Sequence, residues 1–83
     1  MNFSSLTFDN HTLPGATQAV HTFENGWQVS VVSGPAGCGL FGIIDQDTFE
    51  VGVFTPNGNL LEDVLTYQTP VQITTILNLV EML

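Results

Sequence analysis

Two Asn-Gly dipeptides, Asn25-Gly26 and Asn57-Gly58, divide the middle of this chain into short β-rich runs. The first dipeptide separates Gln18–Glu24 from Trp27–Val32, and an Asn-Gly pair between two such runs is typical of a two-residue type I′ hairpin turn. Strands that are joined by tight turns must run antiparallel. These turns therefore constrain the fold more strongly than any other feature of the sequence.

A two-residue turn also predicts which side chains share a face of the sheet. It places Trp27, Val29 and Val31 on one face, which we expect to be buried. Val20, Thr22 and Glu24 would share that face. The opposite face would carry Ala19, His21, Phe23, Gln28, Ser30 and Val32.

The second turn, Pro56-Asn57-Gly58, lies between the runs Thr48–Thr55 and Asn59–Thr66. Proline favours a type I turn, and the glycine supplies the left-handed residue of a bulge. We therefore predict a second hairpin, whose inward side chains include Phe49, Val51, Val53 and Leu61.

The last segment has the pattern of an amphipathic helix. Thr69 suits the N-cap, Pro70 suits the first helical position, and Gln72 completes a capping box. Apolar residues follow at helical spacing, at Ile73, Ile76, Leu77, Val80 and Leu83. The predicted fold is α+β: a small antiparallel sheet of two β-hairpins, with three to five strands, packed by one C-terminal α-helix.

A length of 83 residues predicts a single domain covering residues 1–83. Residues 17–83 would form its hairpin-loop-hairpin-helix core, and residues 1–16 an arm or an edge strand. The glycine-rich stretch and the turn after it, residues 33–47, have no predicted regular structure. The expected core residues are Trp27, Val29, Val31, Phe49, Val51, Val53, Ile73, Ile76, Leu77 and Val80.

The chain contains no Lys or Arg but eight Asp and Glu residues, which gives a formal net charge of −8. An average soluble chain of this length would carry about 10 basic residues. The acidic balance disfavours direct binding to nucleic acid or to anionic membranes, and it predicts a basic protein surface as the partner. Because only 10% of the residues are charged, the acids are sparse for strict mimicry of DNA phosphates, and partial mimicry stays an alternative.

The acids in the second half of the chain are predicted to meet this partner. They fall on the turn before the second hairpin and on its two expected strands, which would bring them close together. The predicted patch consists of Asp45, Asp47, Glu50, Glu62 and Asp63. Leu40 and Phe41, which follow the glycine-rich stretch, are expected to supply the apolar centre of the contact.

No residue pattern points to catalysis, a cofactor or a metal. The glycine-rich stretch Gly34–Gly42 lacks the Lys and Ser/Thr of a phosphate-binding loop. Cys38 has no neighbouring cation to stabilise a reactive thiolate, and His11 and His21 have no matching cysteine pair for a metal site. We therefore predict a chain that is not an enzyme, with no catalytic, cofactor-binding or metal-binding residues.

A single cysteine cannot form an internal disulfide, and no signal-peptide pattern or long apolar segment is present. These features favour a cytoplasmic protein without a membrane anchor. Two function classes remain open, a binding protein and a self-assembling structural protein whose sheet edges pair into a homodimer.

Four short motifs in residues 23–83 are Phe-Glu-Asn-Gly-Trp with Val-Ser-Val-Val, Gly-Leu-Phe, Phe-Glu-Val with a further Val, and Tyr-Gln-Thr-Pro. In these motifs the chain resembles small uncharacterised acidic proteins of tailed bacteriophages. The resemblance implies a phage origin, the host cytoplasm and a host-directed role. The expected function is inhibition or modulation of a host nucleic-acid-handling protein, such as RNA polymerase, a nuclease or a CRISPR complex, by docking on its basic surface.

Overall fold

A computed structural model describes all residues from Met1 to Leu83 and contains one antiparallel five-stranded sheet and one long helix. The strands lie in the sheet in chain order: β1 (Asp9–Asn10), β2 (Thr17–Thr22), β3 (Gln28–Ser33), β4 (Phe49–Phe54) and β5 (Leu65–Gln68). The helix α1 (Pro70–Glu81) follows β5, and two short 3₁₀ helices span Phe3–Ser5 and Ile44–Gln46. The predicted α+β fold is confirmed. The helix lacks the length and apolarity needed to cross a membrane.

The first hairpin turn has three residues rather than two. Gly26 N–H donates to the Phe23 carbonyl at 2.9 Å, and Phe23 N–H donates to the Trp27 carbonyl at 2.8 Å. Gly26 has a φ of 89°, whereas neither Glu24 nor Asn25 has a positive φ. This is a type I turn followed by a glycine bulge, so the predicted type I′ turn is wrong.

The extra turn residue changes which side chains share a face. In the observed register Ala19 pairs with Val31 and His21 pairs with Val29. A shift of one residue moves every side chain of a strand to the other face of the sheet. The prediction that Val20 shares the buried face of Val29 and Val31 is therefore wrong, since Val20 is 52% exposed and Ala19 takes the buried position.

The second turn is a type I turn followed by a glycine bulge, as predicted, and so has the same geometry as the first. Gly58 N–H donates to the Thr55 carbonyl at 2.8 Å, and Gly58 has a φ of 84°. The strand predicted over residues 59–66 is not continuous, because Glu62 adopts a left-handed φ of 56° and the chain leaves the sheet there. Pairing resumes only in β5, which begins at Leu65.

The start of α1 confirms the predicted capping box. Thr69 N–H donates to Gln72 Oε1 at 2.8 Å, and Gln72 N–H donates to Thr69 Oγ1 at 3.3 Å. These reciprocal bonds satisfy two backbone donors that a helix start otherwise leaves unpaired. The start of the helix is thus fixed close to the end of β5.

The core lies between α1 and one face of the sheet. It consists of Phe23, Val29, Val31, Phe49, Val51, Ile73, Leu77 and Val80. The other predicted core residues, Trp27, Val53 and Ile76, are only partly buried and pack at its margin. Phe23 was missed because the two-residue turn assigned it to the opposite face.

The N-terminal segment covers the part of this face that α1 leaves open. The ring centroids of Phe3 and Phe8 lie 5.1 Å and 5.6 Å from that of Phe49. Phe3 N–H donates to Thr74 Oγ1 at 2.9 Å, which joins the segment to α1. Both helix and segment therefore lie on the same side of the sheet.

The first hairpin turn also caps the C-terminus of α1. Asn25 Nδ2 donates to the carbonyls of Val80 at 3.0 Å and Glu81 at 3.4 Å, and Asn25 Oδ1 accepts from Trp27 N–H at 3.0 Å. The last turn of α1 has no basic residue that could satisfy its free carbonyls. A neutral side-chain amide takes that role.

Replacing Asn25 by Asp tests this cap. The substitution keeps the acceptor for Trp27 N–H but removes the donor and places a negative charge at the negative end of the helix dipole. We expect the free energy of unfolding to fall by about 1–2 kcal/mol in urea denaturation. The matched control is Asn57→Asp, at the same position of the second turn, where Asn57 makes no side-chain hydrogen bond; its effect should stay within about 0.5 kcal/mol. Equal losses in the two variants would contradict the cap.

Truncation of the helix side chains tests the packing of α1. Leu77 is fully buried, whereas Leu79 on the same helix is 60% exposed. We expect Leu77→Ala to lower the free energy of unfolding by about 2–5 kcal/mol because it leaves a cavity in the core. Leu79→Ala, which makes the same chemical change outside the core, should have little effect. Similar thermal unfolding midpoints for the two variants would mean that the helix presents a different face to the sheet.

Candidate protein-binding face

No helix covers the sheet face opposite α1, which we call the open face. Cross-strand pairing aligns four of its residues in one row: Asp9, Gln18, Val32 and Glu50. Because neighbouring strands are about 4.8 Å apart, Asp9 and Glu50 stand at the two ends of this row at a separation of about 14 Å. The row thus carries a carboxylate at each end and uncharged side chains between them.

A groove of about 180 Å³ crosses the open face. It is lined by His11, Gln18, Ser30, Val32, Leu40, Glu50, Gly52, Phe54 and Val64. Residues of β3 and β4 line its middle. Val64, just before β5, lines one side, and His11, just after β1, lines the other. The groove therefore depends on the sheet register that the first hairpin turn sets.

Glu50 is the one acid of the chain that is half-buried rather than exposed. Its Oε1 accepts a hydrogen bond from Phe41 N–H at 3.2 Å. No other donor of the chain reaches its carboxylate, and every fully buried side-chain oxygen or nitrogen in the structure has a partner. The second oxygen, Oε2, is therefore accessible from outside the protein.

Two other polar side chains of the groove, Gln18 and His11, also make hydrogen bonds within the chain. Gln18 Nε2 donates to Ser30 Oγ at 3.2 Å, which leaves Gln18 Oε1 without a donor. His11 Nδ1 accepts from Leu13 N–H at 3.0 Å, so the neutral ring carries its proton on Nε2. Gln18 Oε1 is thus a free acceptor in the groove, and the Ser30 hydroxyl and His11 Nε2–H are free donors.

The structure divides the predicted partner-binding residues among four places. Leu40 and Glu50 line the groove. Glu62 and Asp63 lie in the loop before β5, not on a strand as predicted, and Asp63 Oδ1 accepts from the N–H of the groove residue Val64 at 2.8 Å. The remaining three predicted residues, Asp45, Asp47 and Phe41, lie outside the groove.

Asp45 lies in the second 3₁₀ helix, and Asp47 ends that helix with a left-handed φ of 54°. Neither residue lines the groove. Phe41 is exposed and contacts the ring of Tyr67 edge to face, with a centroid distance of 6.3 Å. Of the five predicted acids, only Glu50 therefore lines the groove.

Sequence reasoning missed the contribution of the N-terminal segment to the open face. Asp9 and His11 belong to it because β1 pairs with β2, but β1 has only two residues and leaves almost no periodic signal. The alternation of Asp9 and His11 is the only indication that both side chains point to one face.

A second acidic hollow, of about 730 Å³, lies where the first hairpin turn meets the end of α1. Glu24 and Glu81 line it together with His21, Thr22, Phe23 and Asn25. Glu81 Oε1 lies 3.7 Å from the α-ammonium group of Met1, which is the one ion pair of the structure. No three His, Cys, Asp or Glu side chains come together in a way that could hold a metal ion.

The open face combines apolar walls with carboxylate and amide oxygens that the chain itself does not satisfy. Such a surface favours a cationic donor over an anion, because oxygen acceptors repel anionic groups. The comparisons give no independent indication of a partner. The chain matches no protein-family model, no curated protein and no solved structure.

Proposed function

We propose that this chain is a small acidic binding protein of phage type, which inhibits or modulates a host nucleic-acid-handling protein by docking on its basic surface. The observation that carries the proposal is the exposure of its charge. All its carboxylates except Glu50 are exposed, and only Glu81 is paired with a cation. The negative charge is thus not used inside the fold and faces outward.

This charge would act mainly on the rate and selectivity of association. A net charge of −8 attracts a basic surface over about 8 Å at physiological ionic strength and repels acidic proteins. The chain has only eight acids on 4938 Å² of accessible surface. Double-stranded DNA carries one phosphate charge for about every 1.7 Å of its helix axis, so its charges are far denser. Partial mimicry of nucleic acid, supported by apolar contacts, therefore suits the chain better than strict mimicry.

Exposed apolar side chains around the second hairpin turn and β5 could supply those contacts. Leu60 and Leu61 are exposed after the second hairpin turn, and Leu65, Tyr67 and Phe41 are exposed near β5. A stable interface requires about 800 Å² of buried surface on each partner, with an apolar centre and a polar rim. The open face and the adjacent β5 edge offer both.

The second candidate function is self-assembly, and the exposed apolar residues of β5 favour it. Leu65 is 41% and Tyr67 is 48% exposed on this edge strand. Two features oppose it: each copy would bring a net charge of −8, and Tyr67 interrupts the edge with a left-handed φ of 52°. Light scattering at low and high salt separates the candidates, since a stable homodimer at low salt would favour self-assembly.

The proposed function predicts salt-sensitive capture of a basic host protein. The immobilised chain should retain such a protein from bacterial lysate at low salt and release it at high salt. The purified partner, once identified, should lose nucleic-acid-dependent activity when the chain is added. A captured protein with an acidic surface, or one whose activity does not change, would contradict the proposal.

Neutralisation of the predicted patch tests which acids contribute. A variant with Asp45, Asp47, Glu50, Glu62 and Asp63 replaced by Asn or Gln should associate with the purified partner at least about tenfold more slowly at low salt, with a flatter salt dependence. The control is Glu24→Gln combined with Glu81→Gln, the two acids that line the hollow at the end of α1. An unchanged on-rate in the folded five-fold variant, with a slower one in the control, would move the contact to the hollow beside α1.

A further inference from the structure

We propose that the groove on the open face binds one basic side chain, Lys or Arg, of the partner protein. This inference rests on the proposed function, because it assumes a basic partner. It goes further by assigning the contact to one site, with Glu50 as the charged acceptor and the groove walls as the surface that encloses the side chain.

The polar lining of the groove suits a cation. Glu50 Oε2 and Gln18 Oε1 have no donor within the chain, and both residues line the same groove. A Lys ammonium carries three donors and an Arg guanidinium five, so either can satisfy several acceptors at once. An anion would instead meet the Glu50 carboxylate in a chain that has no Lys or Arg to compensate it.

The apolar lining suits the stem of the same side chains. Leu40, Phe54 and Val64 supply the apolar walls. Lys and Arg bury their methylene groups against such surfaces while the charged end reaches a polar group. A volume of about 180 Å³ is below the range of about 300–1,000 Å³ that is usual for small-molecule pockets, and it therefore favours a single side chain.

Gly52 shapes the groove at its centre. A Cβ atom at this position would lie 3.1 Å from Phe54 Cε1 and 3.4 Å from Leu60 Cδ1, so the missing side chain allows both groups to lie close over the strand. The ring of Phe54 thereby becomes part of the groove wall. An aromatic ring in the groove wall can add a cation–π contact where a bound basic group lies over its face.

The charged acceptor is also held in place before binding. Glu50 lies on β4, between β3 and β5, and its Oε1 accepts from Phe41 N–H. The Phe41 carbonyl in turn accepts from Tyr67 N–H at 2.8 Å, which ties the loop to β5. A carboxylate that is already oriented loses less conformational entropy on binding.

The test uses the full chain and a blocked hexalysine peptide, with a blocked hexaarginine peptide as a second probe. Amide chemical shifts recorded during titration at low salt should change most at Val32, Glu50 and Gly52. Glu50→Gln should weaken binding of the peptides by about tenfold or more, as expected for the loss of one charge-assisted hydrogen bond. Gln retains an acceptor for Phe41 N–H, so the variant should keep the amide spectrum and unfolding midpoint of the parent.

The matched control is Asp47→Asn, which removes one charge outside the groove and should weaken binding by at most about fivefold. Equal effects of Glu50→Gln and Asp47→Asn, or shift changes spread over all the acids, would overturn the groove site. The proposed function would survive that result if the host protein were still captured in a salt-sensitive way. Loss of that capture, with hexalysine still bound in the groove, would instead overturn the proposed function and leave the groove site standing.

Discussion

The register between β2 and β3 decides which surface of this protein is core and which is open. It is set by the three-residue turn Glu24–Gly26, whose glycine bulge aligns Ala19 with Val31. With that alignment Phe23 joins Val29 and Val31 under α1. The same alignment puts Gln18, Val32 and Glu50 in one row on the opposite face, so the core and the groove follow from a single local geometry.

The absence of Lys and Arg requires neutral groups in roles that cations often fill. The carbonyls at the end of α1 are capped by the amide of Asn25, and the buried Ser33 hydroxyl donates to the Thr48 carbonyl at 2.7 Å. Glu50 is oriented by a backbone N–H rather than by a basic side chain. A fold stabilised in this way keeps its carboxylates available for groups outside the chain.

Features that depend on local chemistry were predictable from the sequence. The capping box of α1 and the type I turn at Pro56–Gly58 involve residues within one turn of each other, and both are observed. The length of the first turn was not predictable, because Asn-Gly is compatible with both a two-residue and a three-residue loop and nothing local distinguishes them. The end of the second hairpin was missed for a similar reason, since Glu62 takes a left-handed conformation that its residue type does not suggest.

The candidate site depended on those long-range details, so the sequence predicted it only in part. Leu40 and Glu50 were identified from their position after the glycine-rich stretch and on a strand. Asp9, His11 and Gln18 could not be added without knowing that a two-residue strand pairs with β2. Asp45 and Asp47 are predicted to join the patch because they precede the second hairpin, but they lie in and at the end of a 3₁₀ helix and do not line the groove.

The bond between Phe3 N–H and Thr74 Oγ1 joins residues that are 71 positions apart. Each strand of the meander pairs with its neighbour in sequence and needs only the connection between them to close, whereas this contact needs almost the whole chain in place. The aromatic cover over Phe49 is therefore expected to form after the main folding barrier. Contacts that form after the folding barrier mainly determine the rate of unfolding. The N-terminal segment is therefore expected to slow the unfolding of the sheet.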